Sequence, residues 1–130
     1  MDDRAEVLDL LRRWSAFTEA RDPDRCADLY LRDPAPLVTF SDGERSRDWR
    51  DLRARLGRDL ARAIVERVEV HHLEVGSLAD DVLVASYVYD MHIRDVWGTS
   101  VVATRLATLT LVRTKDGLRI ATAHYSVPPP

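Results

Sequence analysis

In the first half of the chain, apolar residues recur every three or four positions. Val7, Leu10, Leu11, Trp14 and Phe17 form one stripe, which predicts an amphipathic helix from about Asp3 to Ala20. Asp22 and Pro23 then restart the chain. Asp22 suits an N-cap, Pro23 suits the first helical position, and Ala27, Leu29 and Tyr30 give a short second helix its apolar side. Pro34 and Pro36 end that helix, because the residue before a proline is pushed out of the helical region. Leu37 to Phe40 reads as a short strand closed by a turn at Asp42-Gly43. Trp49, Leu52, Leu56 and Leu60 predict a third helix from about Asp48 to Ala63. Its remaining faces carry Arg50, Arg53, Arg55, Arg58 and Arg62 with Asp51 and Asp59, the pattern of a solvated face.

The second half is different in kind. Val65 to Val75, Val82 to Val96, Thr99 to Thr114 and Leu118 to Val127 are four successive β-rich runs. They are broken at Gly76 to Asp81, at Trp97-Gly98 and at Asp116-Gly117, the last a strong hairpin signal. Helices and one short strand followed by a long meander predict an α+β domain. Three N-terminal helices would pack on a strongly curved, mostly antiparallel sheet, a cone-shaped α+β barrel.

Treating both later breaks as two-residue loops predicts which side chains share a face. Asp90 then opposes Arg105, His92 opposes Ala103, His124 opposes Leu109 and Ser126 opposes Ala107. On that register Asp90, His92, Arg105, His124 and Ser126 gather beside two alanines, and small side chains leave room for a ligand. The other face collects Tyr87, Tyr89, Met91, Ile93, Ala123 and Tyr125 and suits an interface. A longer loop or a bulge would flip one strand and exchange these sets.

Composition narrows the function classes. At 130 residues, the chain reads as one domain over 1–130 with a Pro128–Pro130 tail, and its net charge of −3 offers no basic stripe for nucleic acid. No apolar run approaches the roughly 20 residues of a membrane helix, and charged residues follow Met1 at once, against a signal peptide. The single Cys26 rules out an internal disulfide, suits a reducing cytoplasm and reads as a small buried hydrophobe. Neither a glycine-rich dinucleotide fingerprint nor a P-loop occurs, and His71, His72, His92 and His124 lack a recognisable ligand spacing. No cofactor and no metal are therefore expected.

The order of these pieces resembles the SnoaL-like branch of the nuclear-transport-factor-2-like superfamily. The matching stretches are the Trp14-bearing helix, Asp22-Pro23-Asp24, Thr39-Phe40-Ser41-Asp42-Gly43, and Lys115-Asp116-Gly117-Leu118-Arg119-Ile120 through His124-Tyr125-Ser126. The resemblance implies a deep pocket under a curved sheet, a homodimer through that sheet, and members that include cyclases, isomerases, dehydratases and non-enzymatic binders. Three places depart from it: Leu118 stands where relatives usually carry tryptophan, the strand arginine is Arg105 rather than residue 107, and the strand after the second helix, where ketosteroid isomerase keeps its base, offers only Ser41 and Asp42.

Resemblance and register together suggest cofactor-independent proton transfer (cyclisation, isomerisation or dehydration) on a hydrophobic cyclic or polyketide-like substrate. His124 and Asp90 would handle protons, Arg105 and His92 would supply charge, and Ser126 would position the substrate. Trp14, Phe17 and Tyr30 would line its apolar wall. Each feature has a plainer reading: Asp90 with Arg105 as a cross-strand salt bridge, His124 as a hydrogen-bonded interior histidine, and the aromatics as core. The rival from another class is a non-catalytic ligand-binding or dimerisation module with the same fold.

Overall fold

Three aspartates start the three helices. The computed structural model describes residues 2–130. Helix α1 (Asp3–Glu19) is capped by the Asp2 carboxylate, which accepts from Ala5 N at 2.7 Å. Asp22 caps α2 (Pro23–Ala27) by accepting from Arg25 N, and Asp48 caps α3 (Trp49–Arg62) by accepting from Asp51 N. Helix α2 stops at Ala27, well before the prolines expected to end it. Residues 29–31 leave the helix because a sheet edge satisfies their backbone: Ile120 N donates to Leu29 O, and Leu31 N donates to Ile120 O.

The strands are β1 (Leu37–Thr39), β2 (Arg45–Ser46), β3 (Ile64–Ala79), β4 (Val82–Arg94), β5 (Ser100–Thr114) and β6 (Gly117–Ser126), in the sheet order β2-β1-β6-β5-β4-β3. All neighbours are antiparallel except β1 and β6, which run parallel. The expected α+β class holds, with two differences. Strand β2 is an addition to the predicted set, and the sheet is open, with β2 and β3 at its two edges rather than joined into a barrel. Gly76 also lies within β3, opposite Val84, so the first turn falls at Asp80-Asp81.

The hydrophobic core lies between the helices and one face of this sheet. Val7, Leu10, Leu11 and Trp14 of α1 and Leu52 and Leu60 of α3 meet Leu83, Ala85, Tyr87, Ala107, Leu109, Leu111, Ile120 and Ala123. Arg113 ties the two layers at one end, donating to Asp3 at 2.6 Å and to Glu6 at 3.0 Å.

Two local features overturn the predicted register, each by one residue. The β4–β5 loop has three residues, Val96-Trp97-Gly98, not two. Asp95 N donates to Thr99 O, Gly98 N donates to Asp95 O, and the Asp95 carboxylate accepts from Trp97 N and Thr99 N. Gly98 takes φ +81°, the left-handed position that closes a three-residue hairpin loop. As a result Tyr89, not Asp90, opposes Arg105, and Met91 opposes Ala103.

At the β5–β6 hairpin the loop residues are Lys115-Asp116, with Gly117 (φ +109°) opposite Thr114. That is an even shift from the expected pairing and leaves Ile120 on the core face. One residue later the register slips, because Ala121 bulges out between Ile120 and Thr122. Beyond it His124 opposes Thr108 and Ser126 opposes Leu106, while Ala123 and Tyr125 face the core. The bulge sits where β6 changes edge partners, from residues 29–31 to β1.

Candidate functional site

The observed register builds the site from the β5 residues expected there, Ala103 and Arg105, joined by β4 and β6 residues expected on the other face. Tyr89 and Met91 on β4, Ala103 and Arg105 on β5 and Tyr125 on β6 project towards the helices, where Trp14, Thr18, Cys26, Tyr30, Leu56 and Leu60 meet them. The space between is a cavity of about 360 Å³. Its side walls are Phe40 and Ser41 after β1, and Arg55 and Asp59 on α3. Alanine at 103 leaves this volume open, as small side chains were expected to, though beside Met91 and not His92.

The deep end is aromatic. Trp14 meets Tyr89 edge to face at 5.2 Å between ring centroids, and Tyr89 meets Tyr125 in the same way at 6.0 Å. The Tyr30 and Tyr125 hydroxyls are hydrogen-bonded at 2.8 Å. Within such a pair one hydroxyl donates to the other, so one O–H remains to donate to a third group. Burial raises the pKa of Tyr30, Tyr87, Tyr89 and Tyr125 above the ordinary phenol range, so all four stay protonated at neutral pH. The cavity therefore offers hydroxyl donors, not phenolates. Cys26 lies beside Thr18, Sγ to Oγ1 at 3.7 Å, and burial pushes its thiol pKa up. It is the buried hydrophobe expected, although it also touches the cavity.

The outer end is polar, and two of its arginines differ sharply. Arg55 was expected on a solvated helix face but is held inside the wall, its side chain 13% exposed. Its guanidinium lies 4.2 Å from the Phe40 ring centroid and pairs with Asp59 at 2.9 Å, Asp42 at 3.0 Å and Glu44 at 3.4 Å. Arg105 has no carboxylate within ion-pair distance among the described residues. It donates to Ser41 Oγ at 3.3 Å and to the Thr104 carbonyl at 2.8 Å.

Of the eight side chains singled out from the sequence, Trp14, Tyr30 and Arg105 line the cavity. Phe17 is half-buried beside the core, with Arg25 over its ring at 5.7 Å, and does not line the cavity. The predicted proton-handling pair is not brought together: Asp90 and His124, with His92 and Ser126, stand on the opposite, outer face of the sheet. There Asp90 accepts from Thr104 Oγ1 at 2.6 Å and pairs with His71 at 3.1 Å, while His92 meets Glu69 at 2.7 Å. The expected Asp90–Arg105 contact is absent because the two side chains lie on opposite faces. His124 is exposed. Among the described residues no group of three or more His, Cys, Asp or Glu is arranged to hold a metal.

Sequence reasoning missed Arg55 and Asp59 as cavity residues. The i,i+4 spacing of Arg55 and Asp59 was the available signal, but spacing alone does not show that the pair is buried. The three-residue loop turns Tyr89 inward and the Ala121 bulge turns Tyr125 inward, against the sequence expectation for both.

Comparison with known proteins places this arrangement. A candidate calcium/calmodulin dependent protein kinase II association domain from Xanthomonas campestris superposes with a TM-score of 0.87 at 21% identity, over 99% of this chain and 90% of that one. A nuclear transport factor 2-like superfamily protein from Salmonella enterica serovar Typhimurium gives 0.84 at 16% identity, over 97% and 91%. A candidate dehydratase of the same fold family from Streptomyces avermitilis gives 0.84 at 15% identity, over 98% of each chain. At these identities the likeness is one of fold. No curated protein matches the sequence significantly. The model of the SnoaL-like domain matches residues 7–130, nearly the whole chain, and the protein belongs to the SnoaL-like family.

Proposed function

We propose that the protein binds an apolar, ring-bearing small molecule in the cavity between the helices and the inner face of the sheet. The observation that carries this reading is the cavity itself. About 360 Å³ remains open among Trp14, Phe40, Tyr89 and Tyr125, and a larger side chain at position 103 would intrude into it. An aromatic wall with a few convergent hydroxyls is the usual make-up of a small-molecule site. The test is titration with a neutral ring-bearing fluorophore such as prodan. Saturable binding to the wild type is expected, with a loss of about tenfold or more in Ala103→Trp, a step of about 1.4 kcal/mol. Equal binding by both proteins would overturn it.

One observation favours a second, catalytic reading. Asp59 is the single carboxylate in the cavity wall, and it faces a site that also contains the Tyr30–Tyr125 donor pair. A base and a hydroxyl donor on one site suit proton transfer next to a carbonyl, as in an isomerase, cyclase or dehydratase. Catalysed deuterium exchange into a cyclic ketone, followed by NMR and abolished by Asp59→Asn, would support this reading; exchange at the rate of the buffer alone would remove it. The outer sheet face, with its His–carboxylate pairs, is the surface we assign to a second copy of the chain. Light scattering after gel filtration checks that assignment, and a monomer at micromolar concentration would refute it.

A further inference from the structure

The two cavity arginines that are held by hydrogen bonds or ion pairs differ in how their charge is met. Arg55 has three carboxylates around it, Asp59, Asp42 and Glu44. Its positive charge is neutralised inside the protein. Arg105 sits directly across from Tyr89 on the inner face and has no carboxylate partner among the described residues. A guanidinium has five N–H donors. Ser41 Oγ takes the one on Nε and the Thr104 carbonyl takes one on Nη1, which leaves three N–H donors of the terminal fork, one on Nη1 and two on Nη2, without a protein acceptor among the described residues.

The surroundings favour an anion at that fork. The chain as a whole carries a net charge of −3, yet Arg55, Arg62 and Arg105 line the cavity against the single carboxylate of Asp59. Asp42 and Glu44 also meet Arg55, and Glu44 meets Arg58, so Arg55, Arg58, Arg62 and Arg105 stand against three carboxylates and leave this group positive by one on an acidic protein. Such a local field draws anions towards the mouth. A planar fork also matches a carboxylate better than a single neutral acceptor.

On the ligand-binding reading above, we propose that the ligand is a carboxylic acid. Its carboxylate would sit at the mouth on the open fork of Arg105 next to Ser41. Its ring system would lie inward against Trp14 and Tyr89, within reach of the Tyr30–Tyr125 hydroxyl pair. The geometry thereby assigns Arg105 to selecting the ligand by charge, whereas Arg55 fastens α3 to the β1–β2 turn.

The experiment compares 2-naphthoate with its neutral counterpart 2-naphthamide by calorimetry on the intact chain. A charge-assisted fork on a carboxylate adds enough to expect naphthoate to bind about tenfold or more tightly to the wild type. Arg105→Gln should remove that preference, bringing naphthoate down to about the affinity of naphthamide, and Arg105→Lys should keep part of it because the charge remains. Equal affinities for acid and amide in the wild type overturn the proposal and leave the ligand-binding reading standing, and this comparison needs no variant. A preference that persists in well-folded Arg105→Gln also overturns it. Failure of both probes to bind overturns the ligand-binding reading and this proposal together.

Discussion

The two faces of the long hairpins are made from alternate residues of the same strands, yet they do opposite things. On the inner face, Tyr87, Tyr89, Ala107, Leu109 and Tyr125 are buried, and the Tyr125 hydroxyl meets that of Tyr30. On the outer face, Asp90, His71, His92 and Glu69 are partly exposed and paired in short cross-strand contacts. The difference shows how surroundings set the charge of titratable groups. A phenol inside is held neutral by desolvation, whereas a carboxylate outside is kept ionised by a hydroxyl and a histidine. Both faces carry titratable groups. Only the inner one encloses space for a ligand.

The largest effect that sharpens this contrast is Leu109→Ala against its neighbour Thr108→Ala. Leu109 is fully buried, and truncation should cost about 2–5 kcal/mol through lost burial and a new cavity. Thr108 is exposed on the outer face, and its truncation should stay within about 0.5 kcal/mol. Urea unfolding of the pair measures both, and similar losses would break the assignment of faces.

The next effect is alkaline instability. All four tyrosines of the chain are buried, with pKa values raised in the folded state mainly by desolvation. The folded protein therefore keeps protons that the unfolded chain gives up above pH 10, the ordinary tyrosine value. The stability these tyrosines confer is fully present below that pH and is lost as pH rises from it through the raised folded values. The slope approaches about 1.4 kcal/mol per pH unit for each tyrosine. Absorbance at 295 nm should show tyrosinate appearing together with unfolding. Titration of any tyrosine before unfolding would contradict the burial.

Smaller in size is Gly98→Val at the loop that decides which β4 residues face inward. A β-branched side chain at φ +81° should cost about 1–2 kcal/mol, read as a lowered urea midpoint. Absence of a loss would mean that the loop is not held in the three-residue form.

The smallest effect belongs to the outer face. Asp90 has a pKa lowered first by the Thr104 hydroxyl and then by His71. Its contribution is present above the unfolded value of 3.8 and disappears as pH falls through the lower folded value. Asp90→Asn should therefore be slightly less stable than wild type at pH 6, and the two should converge towards pH 3. A variant whose deficit grew with acidification would reverse the sign and reject the pairing.

Much of this molecule is legible in the one-dimensional sequence. The stripes at Val7–Phe17 and Trp49–Leu60, the aspartate caps and the alternation from Val82 onward are local properties, set by steric and solvation rules acting within a few residues. They suffice for the α+β class and for the order of elements that marks the SnoaL-like family. Alternation also separates Tyr89 from Asp90 and His124 from Tyr125 correctly on each strand. Which set looks inward is not local. It depends on one extra residue in the Val96–Gly98 loop and one at Ala121, and each of these reverses every side chain beyond it. The Ala121 bulge in turn lies where β6 exchanges residues 29–31 for β1, contacts that join segments about ninety positions apart. The sequence by itself therefore determined the elements and the alternating sets of side chains. Only the tertiary structure decided that tyrosines and Arg105 surround the cavity while His124 and Asp90 stand outside it.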